Sequence, residues 1–205
     1  MNNSNNKLKV GIIGATGMVG QRFVTLLSNH DYFEITYLAA SKNSAGKTYG
    51  EAVGTRWKMA TPIPDNVADI VVHDAAAVEE ACGKVDFVFC AVDMKKDELI
   101  ELEYAYARAE IPVVSNNSAH RWTKDVPMLI PEINSEHINV IDSQRARLGT
   151  KKGFICVKPN CSIQSYVPML EALMEYEPYE VAVTTYQAIS GAGKNLTIGP
   201  RYSIT

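Results

Sequence analysis

The sequence is short of the features that mark several large classes of protein. Its four cysteines, Cys82, Cys90, Cys156 and Cys161, show no CxxC spacing and have no paired histidines nearby. Neither a zinc site nor a disulfide framework is expected, no metal is assigned, and the cytosol is the natural compartment. Basic charge is not in excess: 20 Lys and Arg against 23 Asp and Glu leave a net charge of -3. The cations are also scattered, which argues against a broad nucleic-acid surface. No apolar run approaches the length of a membrane span, so no membrane partner is expected. The amino-terminal MNNSNNKLK lacks the apolar stretch of a signal peptide and reads as a short disordered lead-in. There is no internal repeat, and low complexity is confined to the Asn-rich start.

What is present is ordinary globular material. The 205 residues are 46% hydrophobic and 21% charged, enough to bury a real core. Residues 8–13 read as a strand, 18–28 as a helix and 33–40 as a second strand. A polar connection dotted with Gly and Pro covers 41–64. A short strand at 70–72, a helix at 75–81, a near-continuous apolar strand at 85–92, a helix at 97–109 and a strand at 111–114 follow. Residues 153–157 are again short and β-rich, 162–174 read as an amphipathic helix, and 180–189 as a long apolar strand. Alternation of this kind, with strands apolar on both faces, predicts an α/β fold: a doubly wound, mostly parallel Rossmann-type sheet covered by helices. The sheet pattern closes near residues 156–160. The expected domains are therefore 1–157, binding a dinucleotide, and 158–205, beginning a second domain.

Gly11, Gly14, Gly17 and Gly20 run from the first strand into the start of the first helix, spaced GxxGxxG rather than GxGxxG. Glycine lets the backbone turn tightly and approach a pyrophosphate, and the helix N-terminus then supplies N–H donors. Gly14, Thr16, Gly17, Met18 and Val19 are accordingly the candidate cofactor-binding residues; the competing reading is a turn with no ligand. An NAD site usually carries Asp or Glu at the end of the second strand, to hold the ribose hydroxyls. Here that strand ends Leu38-Ala39-Ala40 and continues Ser41-Lys42-Asn43-Ser44. No acid stands there to repel a 2′-phosphate, and a lysine and two hydroxyls are available to bind one, so NADP is the expected cofactor. Lys42 reads equally well as a solvated loop charge.

The segment Val157-Lys158-Pro159-Asn160-Cys161-Ser162 places a cysteine where a strand gives way to a helix. A thiol at the head of a helix meets the positive end of the macrodipole, which favours the nucleophilic thiolate. On its own the segment favours a buried structural cysteine, the commoner fate of an intracellular Cys.

Together these pieces resemble aspartate-semialdehyde dehydrogenase. The matching segments run in the family's order: GATGMVG at 14–20, SAGK at 44–47, SNNSAHR at 115–121, PNCS at 159–162 and TYQAISGAGK at 185–194. The resemblance implies NADPH-dependent reductive dephosphorylation of L-aspartyl 4-phosphate to aspartate semialdehyde, a step towards lysine, threonine and methionine. It implies Cys161 as nucleophile, Gln187 as the substrate-orienting amide, and Arg121 and Asn160 as phosphate-binding groups. Ser190 and Gly191 would let the backbone approach the nicotinamide. The expected small-molecule partners are aspartyl phosphate, aspartate semialdehyde and phosphate, and full-length relatives are expected to be homo-oligomers.

Two departures stand out. At Asn43 the family often has arginine. Residues 195–205 no longer look like the family, whose general acid/base histidine, second substrate-binding arginine and most of the catalytic domain lie further on. None of His30, His73, His120 and His137 stands in that catalytic context, and each reads as a surface or helix-end residue. The expectation is thus a truncated or fragmentary chain, inactive by itself, with 158–205 the start of an incomplete α+β catalytic and dimerisation domain. Malonyl-CoA reductase, N-acetyl-glutamyl-phosphate reductase and a non-catalytic NADP-binding fragment remain alternatives.

Overall fold

The computed structural model describes residues 7–186, and the chain divides into two compact units, Met1–Pro159 and Asn160–Thr205. The first is built on six strands: β1 (Leu8–Ile13), β2 (Phe33–Ala40), β3 (Val72–Asp74), β4 (Phe87–Cys90), β5 (Val113–Ser115) and β6 (Ile155–Val157). They form one sheet in the order β3-β2-β1-β4-β5-β6, every neighbouring pair parallel. That is the doubly wound order, in which the chain reverses its direction of travel across the sheet between β1 and β4. Among the described residues of this unit the α-helices are α1 (Met18–Leu27), α2 (Tyr49–Val53), α3 (Asp65–Ala68), α4 (Lys96–Arg108), α5 (Pro131–Asn134) and α6 (Ile141–Leu148).

Alternate residues of the strands feed two separate cores, as a sheet covered on both faces requires. Val10, Ile12, Ile35, Leu38 and Ala40 join Val24 and Leu27 of α1 and Tyr49, Ala52 and Val53 of α2. Ile13, Tyr37, Ala39, Val88, Val113 and Ile155 join Leu99, Leu102 and Tyr106 of α4. Burial pushes the Tyr37 phenol up to about 12.

Neither edge of the sheet is bare. At β3, Val72 donates its N–H to Lys47 O at 2.8 Å and accepts from Gly46 N at 2.8 Å. At β6, Val157 exchanges bonds with Pro127 O (2.9 Å) and Leu129 N (3.0 Å). Two residues upstream the partner is a side chain: Gln144 of α6, fully buried, accepts from Ile155 N at 2.6 Å and donates to Ile155 O at 2.9 Å and Asp125 O at 2.8 Å. Gln144→Leu should therefore cost about 2–4 kcal/mol in urea unfolding, because three backbone groups, two of them buried, lose their partner at once. A cost under about 1 kcal/mol would mean that water replaces the amide.

Several sequence expectations shift. The third strand begins at Val72 rather than residue 70, because Val71 instead bridges Thr48 antiparallel. The helix expected at 75–81 shrinks to a 3-10 turn, Val78–Ala81, after the Asp74 carboxylate accepts from Ala76 N at 3.1 Å and fixes a turn. The strand expected at 85–92 shortens to Phe87–Cys90. The connection at 41–64 contains α2, started by a capping box between Thr48 and Glu51.

The second unit opens with α7 (Cys161–Glu171), followed by a 3-10 turn, Met174–Tyr176. Residues 180–186, expected as strand, have no regular structure, and residues 187–189 lie outside the described part. A strand holds its shape through a hydrogen-bonded neighbour, and none pairs with this segment among the described residues.

Candidate active site

The carboxyl ends of β1 and β4 diverge at the reversal point, and the glycine loop sits there. Gly14 has φ 87°, and a Cβ on it would lie 2.6 Å from Ala91 O at the end of β4. Gly20 lets α1 lie directly on the loop, since a Cβ there would run into Gly14 O. The first intrahelical bond of α1 runs from Gln21 N to Gly17 O at 2.8 Å, so the N–H groups of Met18, Val19 and Gly20 precede it and are not used by the helix. The N-cap, Gly17, has no side chain to cover them, and the first turn has no acid. Free N–H groups at a helix end of this kind can hold an anion such as a pyrophosphate. Its shape is fixed from behind. Tyr49 Oη donates to Ala15 O at 3.0 Å. Gln21, fully buried, donates to Thr16 O at 3.0 Å and accepts from Lys58 N at 2.8 Å.

Beside it, β2 runs into a turn in which Ser44 N donates to Ser41 O at 2.8 Å. Ser41, Lys42 and Asn43 are exposed, whereas Ser44 is buried. No acid lies between Ala39 and Ser44. The exposed ammonium of Lys42 is thus unopposed by a carboxylate of its own turn.

The segment after β5 is the most densely bonded. Ser115 Oγ donates to Glu103 Oε1 at 2.5 Å, Asn117 Nδ2 donates to the same oxygen at 3.2 Å, and Asn117 N donates to Ser115 Oγ at 3.1 Å. His120 Nε2 lies 3.7 Å from Glu103 Oε2, and its Nδ1 lies 3.1 Å from Thr123 Oγ1. Arg121 donates from Nε to Lys158 O at 3.1 Å and from its guanidinium to Pro159 O at 3.3 Å. These two bonds tie Arg121 to the chain that leads out of β6.

His120 corrects the sequence expectation for the histidines. It is 0% exposed, edge-on to Tyr104 at 4.6 Å between ring centroids, while His30, His73 and His137 are partly exposed. Burial holds its imidazole below the ordinary histidine range, outweighing the raising influence of Glu103. The unfolded chain therefore takes up this proton first as pH falls. Stability from His120 is complete above about pH 6.5 and is lost as pH drops from there through the folded value, at no more than about 1.4 kcal/mol per pH unit. Urea unfolding between pH 7 and 5 should show this slope in the native chain and a shallower one in His120→Asn; parallel profiles would refute the assignment.

In the second unit, Cys161 is the first residue of α7 and is exposed. Asn160 is the N-cap: its Oδ1 accepts from Ser162 N at 2.9 Å and from Ser162 Oγ at 2.6 Å, with the Cys161 thiol 3.7 Å away. The cap explains why the helix starts at the cysteine, because Asn is among the residues best suited to close the first turn. Gln187, Ser190 and Gly191 lie outside the described residues. Two polar residues near Arg121 went unread in the sequence. Glu103 carried a usable signal, since it falls with Leu99, Leu102 and Tyr106 on one helical face. Asn117 carried none.

Strand order, glycine loop and open helix N-terminus define a dinucleotide-binding protein of the doubly wound α/β class. The chain belongs to the semialdehyde dehydrogenase family, matching its NAD binding domain over residues 9–141. It is 42% identical over 189 residues to an aspartate-semialdehyde dehydrogenase of Cryptococcus neoformans, covering 91% of this chain and 51% of that one. An enzyme of the same name from Methanothermobacter thermautotrophicus is also 42% identical, over 191 residues, covering 92% of this chain and 52% of its own. The crystal structure of the Candida albicans aspartate semialdehyde dehydrogenase with NADP superposes with a TM-score of 0.70 at 39% identity, covering 83% of this chain and 48% of that one. The chain spans about half the length of these relatives.

Proposed function

We propose that this chain carries the NADP-binding and thioacyl-forming half of an aspartate-semialdehyde dehydrogenase reaction. The observation that carries this reading is the exposed Cys161 at the first position of an Asn-capped helix, in a chain of this family. Cys161 Sγ attacks the acyl carbon of L-aspartyl 4-phosphate; the S–C bond forms, the bond from carbon to the phosphate oxygen breaks, and inorganic phosphate leaves. NADPH, when bound, supplies the hydride that takes the thioester to the aldehyde level. The Cys161 thiol is then released as the aldehyde departs. Arg121 and Asn160 bind the phosphoryl oxygens, a role a guanidinium fork suits, and Gln187 orients the acyl group. Gly14, Thr16, Gly17, Met18 and Val19 hold the pyrophosphate. Ser41, Lys42, Asn43 and Ser44 take the 2′-phosphate, and Ser190 and Gly191 approach the nicotinamide. On this reading residues 1–157 are the dinucleotide domain and 158–205 belong to the catalytic domain.

Acylation needs no reduced cofactor, so it is tested directly. Incubation with aspartyl phosphate followed by peptide mass spectrometry should find an aspartyl adduct on Cys161 and release of phosphate. An adduct on Cys82 instead, or none, would overturn the reading. For the cofactor, calorimetry should find NADP bound more tightly than NAD. Lys42→Glu should weaken NADP about tenfold and leave NAD unchanged, since it sets like charge beside the 2′-phosphate. Equal losses for both cofactors would remove Lys42 from the site.

A further inference from the structure

We propose that Glu103 is a positioning residue: its buried carboxylate sets the segment from Ser115 to Arg121 and thereby the aim of the Arg121 guanidinium. The proposal rests on the reading above, in which Arg121 is the group that meets the phosphoryl oxygens.

Leu99, Leu102 and Tyr106 place this face of α4 in the core, and Glu103 among them is 1% exposed. Packing asks for an apolar side chain there, and an ionised carboxylate in such a place is costly unless its oxygens are satisfied. Apart from the Cys90 thiol of β4, which lies beside it, its side-chain partners among the described residues come from one stretch. Ser115 and Asn117 donate to Oε1, and His120 faces Oε2. Glu103 Oε2 and His120 Nε2 are also among the few buried side-chain atoms without a hydrogen-bond partner among the described residues, and they face each other at 3.7 Å. His120 Nδ1 lies 3.1 Å from Thr123 Oγ1, and a ring whose Nδ1 accepts there carries its proton on Nε2, the side that faces the carboxylate. A helix residue thus gathers the first, third and sixth residues of a seven-residue segment, and Arg121 is the seventh. From that backbone position the guanidinium reaches Lys158 O and Pro159 O.

Other charged groups near the pair act from further out. Arg147 and Asp125 bond each other at 2.6 and 2.8 Å, and Arg147 lies over the Tyr104 ring at 5.2 Å. They brace the histidine side rather than the carboxylate.

The experiment reads Arg121 by phenylglyoxal modification, mapped by mass spectrometry in the full chain, with exposed Arg22 as internal reference. Without any ligand, Glu103→Leu should raise the Arg121 rate at least about fivefold relative to Arg22, because the segment loses its acceptor while the apolar face of α4 stays filled. Glu103→Gln keeps one carbonyl oxygen for Ser115 and Asn117 and should return the rate to within about twofold of the native chain. Should Glu103→Leu fail to fold, Ser115→Ala removes the shortest of these bonds from the other side and should raise the rate in the same direction. An unchanged Arg121 rate in the folded variants, or an equal rise at Arg22 and Arg121, would overturn the proposal. Protection of Arg121 by inorganic phosphate in the native chain is read separately. Its absence would count against the phosphoryl reading while leaving the comparison between variants intact.

Discussion

Brief, substoichiometric alkylation of the folded chain at pH 7 should label Cys161 on the order of 10²-fold faster than Cys156, and Cys90 slower still. Cys156 is buried and its thiol is pushed up to about 11, which leaves a thiolate fraction near 10⁻⁴ at neutral pH, about 10²-fold below an ordinary thiol. Cys90 is likewise buried, and burial together with the Glu103 charge pushes its thiol well above the usual range. Access is denied to both as well. The informative competitor is Cys82, which is exposed but only in a turn, 3.9 Å from Val78 O. Cys161 has exposure and a helix N-terminus behind it. If Cys82 labels first, the helix end confers no advantage and the nucleophile assignment fails. Cys161→Ser should abolish adduct formation without changing the unfolding midpoint, as an exposed first-turn residue predicts.

Gly14→Ala should remove dinucleotide binding and cost about 3 kcal/mol or more. Two penalties act there. A side chain at φ 87° is strained by about 1–2 kcal/mol, and the new methyl would overlap the Ala91 carbonyl, which belongs to a strand end and has no room to yield. Gly46→Ala separates the two. Its φ is 81°, but nothing lies within 4 Å of a Cβ, so it should lose only the conformational part, about 1 kcal/mol. Equal losses at both positions in denaturant unfolding would show that the close approach to β4 is unimportant. NADP calorimetry on the two variants supplies the functional arm: Gly46→Ala should bind and Gly14→Ala should not.

The parts of this fold that were legible in the sequence are those in which one local rule acts alone. β1 and β2 were read with their observed limits, because uninterrupted apolar runs fed a fully covered sheet, and α1 and α4 to within a residue at each end. Elements decided by competition were misread. Residues 75–81 have the composition of a helix, but the Asp74 turn and a sheet neighbour leave only one 3-10 turn. α2 could have been found, since Thr48-Tyr49-Gly50-Glu51 is a capping-box sequence. α6 could have been found from Gly149, which closes it at φ 73°. His120 and Glu103 were not legible as a pair. They stand seventeen positions apart on different elements, and only the packing of α4 over β5 brings a carboxylate beneath the SNNSAHR turn.

Cross-β growth, in which one molecule's sheet continues into the next, needs a row of open amide and carbonyl groups along a border strand. This sheet offers no such row on β6. There the groups of Ile155 are satisfied by the amide of Gln144, and those of Val157 by the backbone at Pro127 and Leu129. A glutamine side chain fills the place of a seventh strand without itself presenting a ladder that a further chain could extend. Gln144→Leu would thus do more than weaken the fold. It would open a docking edge, and the variant should seed thioflavin-positive aggregates under mild warming at which the native chain stays clear.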